Sequence, residues 1–281
     1  MHAAPSMPKE IPTLGSLAED HALLCRAVRE AGLLASKRFH AGEKGWDKRP
    51  GQPVSQADIA VDAYLEQELI GARPSYGWLS EESGESDNRL STARIFIVDP
   101  IDGTRAFLKK RPEYAVSVAL VASGRPVAAA VYNPETDEFF EAFEGGGARC
   151  NGAPMRVQDR TQLRGTKLLV SRHEFKELGV DPGLEECEIE AISSIAYKIA
   201  LVAAGRAGAV IALRPKSEWD LAAADLLVTE AGGRITDAGG AELIYNQPAP
   251  DIASVLAAGP VLHALLLERV ARGANQAKRH A

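Results

Sequence analysis

Residues 95–107 (IFIVDPIDGTRAF) constrain this chain more than any other segment. The four leading apolar residues read as a strand buried on both faces. The run ends abruptly at Asp99, and Asp102 follows three residues later, across the stiff Pro100. Gly103 permits a tight turn, and Thr104 can cap a helix behind it. The segment therefore brings two carboxylates to the carboxyl end of a strand, where open α/β sheets place their ligands. A helix N-terminus follows, and its free N–H groups and positive dipole end suit a phosphate. The competing reading is a DG hairpin turn with two solvated acids; a uniformly apolar run ending in acids argues against a surface hairpin. Two acids this close repel, so one pKa rises unless a cation intervenes. A hard divalent ion with oxygen ligands, Mg²⁺, relieves that cost.

Three further segments carry candidate carboxylates. Glu81 and Glu82 follow the short apolar run YGWLS, and Asp58 sits early in a helix within PVSQADIAVD. Trp219 and Asp220 open the apolar helix SEWDLAAADLLVTEAGG. Each has an ordinary explanation when taken alone: a solvated pair for the glutamates, and a favourable helix dipole for Asp58 and Asp220. Other chemistries are excluded by inspection. The chain has no GxxxxGK[ST], no GxSxG and no HExxH, and GGGARCNG lacks the GxGxxG spacing. The two acids of DPID stand three apart rather than two, which disfavours an aspartyl-phosphate nucleophile.

The 281 residues allow one large domain or two intimate halves. A formal net charge of −6 gives no global pull toward a nucleic acid polymer or an anionic membrane, so an anionic ligand needs a local site. Cys25, Cys150 and Cys187 are odd in number and widely spaced, which argues against a disulfide framework or a structural zinc site. No stretch approaches the about 20 apolar residues of a membrane helix. Residues 1–15 lack the apolar run of a signal peptide. A cytoplasmic protein with reduced thiols is the expectation.

The patterning predicts a loose leader (1–15), an N-terminal α+β half (16–157), a C-terminal α/β half (158–271) and a frayed basic tail (272–281). Helices are expected at 16–39, 56–70, 195–205, 219–232 and 260–272. Strands are expected at 76–82, 94–99, 115–122, 126–133, 138–144, 167–172, 187–192, 208–213 and 253–258. Residues 40–54, rich in Gly, Pro and Lys, read as a mobile loop.

Taken in order, Glu81-Glu82, Asp99-Pro100-Ile101-Asp102-Gly103-Thr104 and Trp219-Asp220 resemble the inositol monophosphatase superfamily of lithium-sensitive, Mg²⁺-dependent phosphatases. The resemblance implies an α/β fold, a five-layer αβαβα sandwich, acting as a monomer or homodimer on a small phosphorylated substrate with two or three Mg²⁺ ions. It implies that Glu81, Asp99 and the Ile101 carbonyl hold one metal, and that Asp99, Asp102 and Asp220 hold a second. Asp58 and Thr104 match the pair that activates a water, and Gly103 and Thr104 supply N–H groups to the phosphate. Arg105 stands where inositol-type members carry a small polar residue and where the CysQ branch of 3'(2'),5'-bisphosphate nucleotidases usually carries a Lys; with Ser194 and Lys198 in SSIAYKIALVAAGRA, the chain resembles that branch. That branch is the first substrate expectation. An inositol or sugar monophosphatase is the alternative, and a non-catalytic Mg²⁺- and nucleotide-binding regulator is the rival from another class.

Overall fold

The structure is a computed structural model that describes residues 16–171, 184 and 186–280, without the side chains of 273–280. The expected leader at 1–15 lies outside the described residues. The chain opens with α1 (Leu17–Ala41), the hairpin β1 (Gly45–Arg49) and β2 (Gln52–Ser55), and α2 (Gln56–Ala72). Then come β3 (Gly77–Ser80), β4 (Gly84–Glu85), β5 (Arg94–Asp102) and the short α3 (Thr104–Leu108). A meander follows: β6 (Ala115–Ala122), β7 (Arg125–Asn133), β8 (Glu138–Phe143), β9 (Ala148–Cys150) and β10 (Ala153–Pro154). The remainder is β11 (Lys167–Val170), β12 (Glu188–Ala191), α4 (Ile195–Ala203), β13 (Ala209–Ala212), β14 (Lys216–Ser217), α5 (Glu218–Glu230), β15 (Arg234–Thr236), β16 (Asp251–Ile252), β17 (Val255–Ala258) and α6 (Pro260–His280).

Two sheets organise these elements. One has eight strands in the order β10-β9-β8-β7-β6-β5-β3-β4, and the other has five, β12-β11-β13-β17-β15. Helices α1 and α2 cover one face of the large sheet, α4 and α5 lie between the sheets, and α6 packs on the outer face of the small one. The result is the five-layer αβαβα sandwich. Strand β5 shows how alternation builds the layers: Phe96 and Val98 join the core under α1 and α2, and Ile95 and Ile97 join the central core with α4 and α5. All four are almost fully buried, and each contributes about 1.5–3 kcal/mol by leaving water.

Two expectations need correction. Residues 40–54 are not an open loop, because Trp46 pairs with Val54 and Asp47 with Pro53 across the β1–β2 hairpin. Pro50 and Gly51 form its two-residue turn, with Gly51 at φ +78, so the residues read as loop composition mark only the turn. The tail at 272–280 is not frayed backbone; it continues α6 to His280, and its Ala, Gln, Lys and Arg residues favour that continuation over the single Gly273.

Candidate active site

The site begins with an irregularity in β5. Asp99 stands opposite Ser117 and Asp102 opposite Ala115, so three steps on β5 match two on β6. This one-residue bulge reverses the strand's alternation. Without it, residues three apart would face opposite sides of the sheet. With it, Asp99 and Asp102 share the face of Ile95 and Ile97, toward the central helices. Gly103 then turns the chain at φ +97 into α3.

Neighbouring elements bring in the other acids. β3 runs parallel to β5, with Ser80 opposite Val98, so Glu81 and Asp99 stand side by side at two parallel strand ends. Asp220 lies in the first turn of α5, where one carboxylate oxygen accepts the Ser217 N–H at 2.8 Å. Carboxylate oxygens of Asp99, Asp102 and Asp220 lie within 4.8 Å of one another. Asp58 holds the matching position in α2. Its Oδ2 accepts from the Ser55 N–H (2.8 Å) and hydroxyl (2.6 Å), and its Oδ1 accepts from the Thr104 hydroxyl at 3.0 Å. Capping is thus a real role for Asp58 and Asp220, and it leaves a carboxylate edge of each at the site.

Electrostatics follow from this crowding. Burial, then the charges of Glu81, Asp102 and Asp220, raises the Asp99 carboxyl well above the usual carboxylate range. Burial lifts Asp102 to about 6, against opposing hydrogen bonds from Ser194 and Ala196 and the charge of Lys198. Burial and the Asp102 charge lift Asp220 to about 8. So many acids in one place want a compact cation. The all-oxygen donor set of Asp99, Asp102 and Asp220, with Glu81 and Ile101 lining the same cavity, fits Mg²⁺.

The residues expected to touch substrate divide into two groups. Gly103, Thr104, Arg105 and Asp220 line a cavity of about 750 Å³, together with Lys48, Arg49, Glu81 and Trp219. Ser194 and Lys198 are buried in and beside α4 and are not among its lining residues. The Ser194 hydroxyl and the Ala196 N–H each donate to Asp102 Oδ2 at 2.6 Å, so the N-terminus of α4 holds Asp102 from behind. The Arg105 guanidinium donates to the Gly51 carbonyl and ties α3 to the hairpin.

Lys48 escaped the sequence reading. The β1–β2 hairpin carries its ammonium to Glu81 Oε1 (3.2 Å) and Glu82 Oε1 (2.7 Å). The signal that could have found it is the Pro50–Gly51 turn, which folds a basic strand back toward α2.

A five-layer αβαβα fold with a carboxylate centre and a hydroxyl–carboxylate pair beside it defines a class: metal-dependent hydrolases of phosphate esters. Residues 16–275 match the model of the Inositol monophosphatase family, and the chain belongs to that family. It is a Mg²⁺-dependent phosphoric monoester hydrolase. An inositol-1-monophosphatase of Rhizobium meliloti (strain 1021) is 39% identical over 69% of this chain and 75% of that protein. One of Mesorhizobium japonicum is 38% identical over 79% of this chain and 84% of that protein. The crystal structure of the extragenic suppressor protein suhB from Bartonella henselae superposes with a TM-score of 0.80 at 32% identity, covering 89% of this chain and 97% of that one.

Proposed function

We propose that this enzyme hydrolyses the phosphate monoester of inositol or of a related polyol. The observation that carries the choice is that the Ser194 hydroxyl is committed to Asp102 Oδ2 and that Lys198 is fully buried and does not line the cavity. The nucleotidase reading needed both residues as a seat for a second phosphate. The names of the two rhizobial relatives support the same substrate class. One feature favours the nucleotidase: Arg49 and Arg105 line the cavity. The Arg105 guanidinium, however, is engaged by the Gly51 carbonyl.

In this proposal Glu81, Asp99 and the Ile101 carbonyl hold one Mg²⁺, and Asp99, Asp102 and Asp220 hold another. Bound there, the ions acidify water and neutralise charge on the phosphate. The chain's own part is proton handling and positioning. Thr104 Oγ1 accepts a proton from the attacking water as its own passes to Asp58 Oδ1, along the hydrogen bond already in place. The water oxygen bonds to phosphorus and the ester P–O bond breaks; the departing alkoxide takes a proton from a solvent water, and Asp58 returns its proton to solvent. Backbone N–H groups at Gly103 and Thr104 orient the phosphate. Lithium inhibition, a cytoplasmic setting and the absence of a phosphoenzyme belong to the same proposal.

The test is phosphate release at saturating Mg²⁺ from inositol 1-phosphate and from adenosine 3',5'-bisphosphate. A higher kcat/KM for the inositol ester is expected. A clear preference for the nucleotide would restore the CysQ-type reading, and turnover of neither would favour a binding protein.

A further inference from the structure

We propose that His21, Cys25 and Glu141 form a second metal site, for a borderline-soft tetrahedral cation of the Zn²⁺ class. It is separate from the carboxylate centre and independent of the substrate proposed above. His21 and Cys25 stand one helical turn apart on α1, so both face the same way. Glu141 reaches them from β8, on the sheet that α1 covers. Cys25 Sγ lies 3.3 Å from His21 Nε2 and 3.2 Å from Glu141 Oε2, and the nitrogen and oxygen are 3.6 Å apart. In a tetrahedral zinc site the ligand atoms are roughly 3.4–3.6 Å from one another, given the usual metal–ligand bond lengths. The three donors already stand within a few tenths of an ångström of that triangle.

The surroundings favour a loaded site. The His21 ring packs against Phe143, with centroids 5.1 Å apart. The His21 and Glu141 side chains are 16% and 25% exposed, so an ion would be partly shielded yet reachable. A dication with one thiolate, one carboxylate and a neutral imidazole sums to zero charge, which suits partial burial. Of the nearby arginines, Arg29 sits over the Phe139 ring at 4.1 Å. Cys25 and Glu141 also line a cavity of about 370 Å³, from which water can complete the fourth position. In the metal-free chain the Cys25 thiol donates to Glu141. Binding replaces the S–H bond with a metal–sulfur bond and releases the proton to solvent. A nitrogen–sulfur–oxygen donor set selects Zn²⁺ over Mg²⁺.

The experiment uses the reduced full-length protein, stripped of metal and then saturated with Mg²⁺ to fill the carboxylate centre. Co²⁺ is the probe. One equivalent should bring a near-ultraviolet thiolate-to-cobalt band with visible bands of tetrahedral intensity, and added Zn²⁺ should abolish both. Cys25→Ser should lose the ultraviolet band, whereas Cys150→Ser and Cys187→Ser should keep it. Glu141→Gln, which leaves the thiol and the helix unaltered, should shift the visible bands. No thiolate band in the wild-type protein would overturn the proposal whatever the folding of the variants. So would a band that survives in Cys25→Ser.

Discussion

The Thr104 hydroxyl donates to Asp58 Oδ1 at 3.0 Å and so joins the N-terminus of α3 to that of α2. The same hydroxyl lies 3.1 Å from the Ile101 carbonyl, a proposed metal ligand. It therefore spans the gap between the proton acceptor and the metal centre. Thr104→Ala should lower kcat by about 10²–10⁴-fold, the usual range for removing a proton-transfer group. Thr104→Ser should restore most of the activity, because the relay needs the oxygen and not the methyl group. Steady-state rates on the preferred ester check both. Equal activity in the Ala and Ser variants would remove the hydroxyl from the mechanism.

Metal-free stability should fall as pH rises. The folded-state carboxyls of Asp102 and Asp220 are raised from 3.8 to about 6 and about 8. A group raised on folding binds more protons in the native than in the unfolded state across that interval, so its contribution is lost as pH climbs. In chelator, Tm should drop between about pH 4 and 8 as these acids ionise against one another. Mg²⁺ should reverse the drop, with its largest Tm gain at the alkaline end. Thermal melts at several pH values, with and without Mg²⁺, check this; a metal-free Tm that rises steadily from pH 5 to 8 would contradict it.

The centre of this site was legible because its information is local. The apolar run before Asp99 and the turn at Gly103 are read within 13 residues, and they put both acids at the carboxyl end of β5. What spacing could not give was the reason for it: the bulge opposite Ser117 and Ala115 depends on the register of a neighbouring strand. Lys48 was hidden because Gly and Pro were counted as loop composition, whereas two of them form a single tight turn. Ser194 and Lys198 were expected at the substrate, but neither lines the cavity, because that depends on how α4 packs against β5. His21, Cys25 and Glu141 were invisible for a related reason. Cys25 and Glu141 are 116 positions apart, and only the packing of α1 on β8 joins them.

Gly103→Ala should damage fold and function together. The residue sits at φ +97, and an added Cβ would meet the Glu113 carbonyl oxygen at 2.8 Å. The left-handed conformation alone costs an L-residue about 1–2 kcal/mol, and the backbone contact adds to it. Tm should fall by several degrees, and the residual folded protein should have reduced kcat because the N–H groups of α3 move. A wild-type Tm in this variant would show that the turn tolerates a side chain.

Lys48→Ala should tighten Mg²⁺ binding. The Lys48 ammonium shares Glu81 with the proposed metal and bonds Glu82 beside it. Burial and the Glu81 charge push the Glu82 carboxyl up, and Lys48 works against them, leaving it at about 7. In the metal-free protein the lysine acts as an internal counter-ion that an arriving cation must outcompete. Its side chain is 27% exposed and Glu81 28%, so solvent screens the pair and the competition is worth about 1 kcal/mol at most. Removing it should lower the Mg²⁺ concentration for half-maximal activity several-fold. The same variant should raise KM for the phosphate ester, because Lys48 also lines the substrate cavity. Measuring activity against Mg²⁺ at saturating substrate, and against substrate at saturating Mg²⁺, separates the two effects. A half-saturation concentration that rises would mean that Lys48 assists metal binding rather than opposing it.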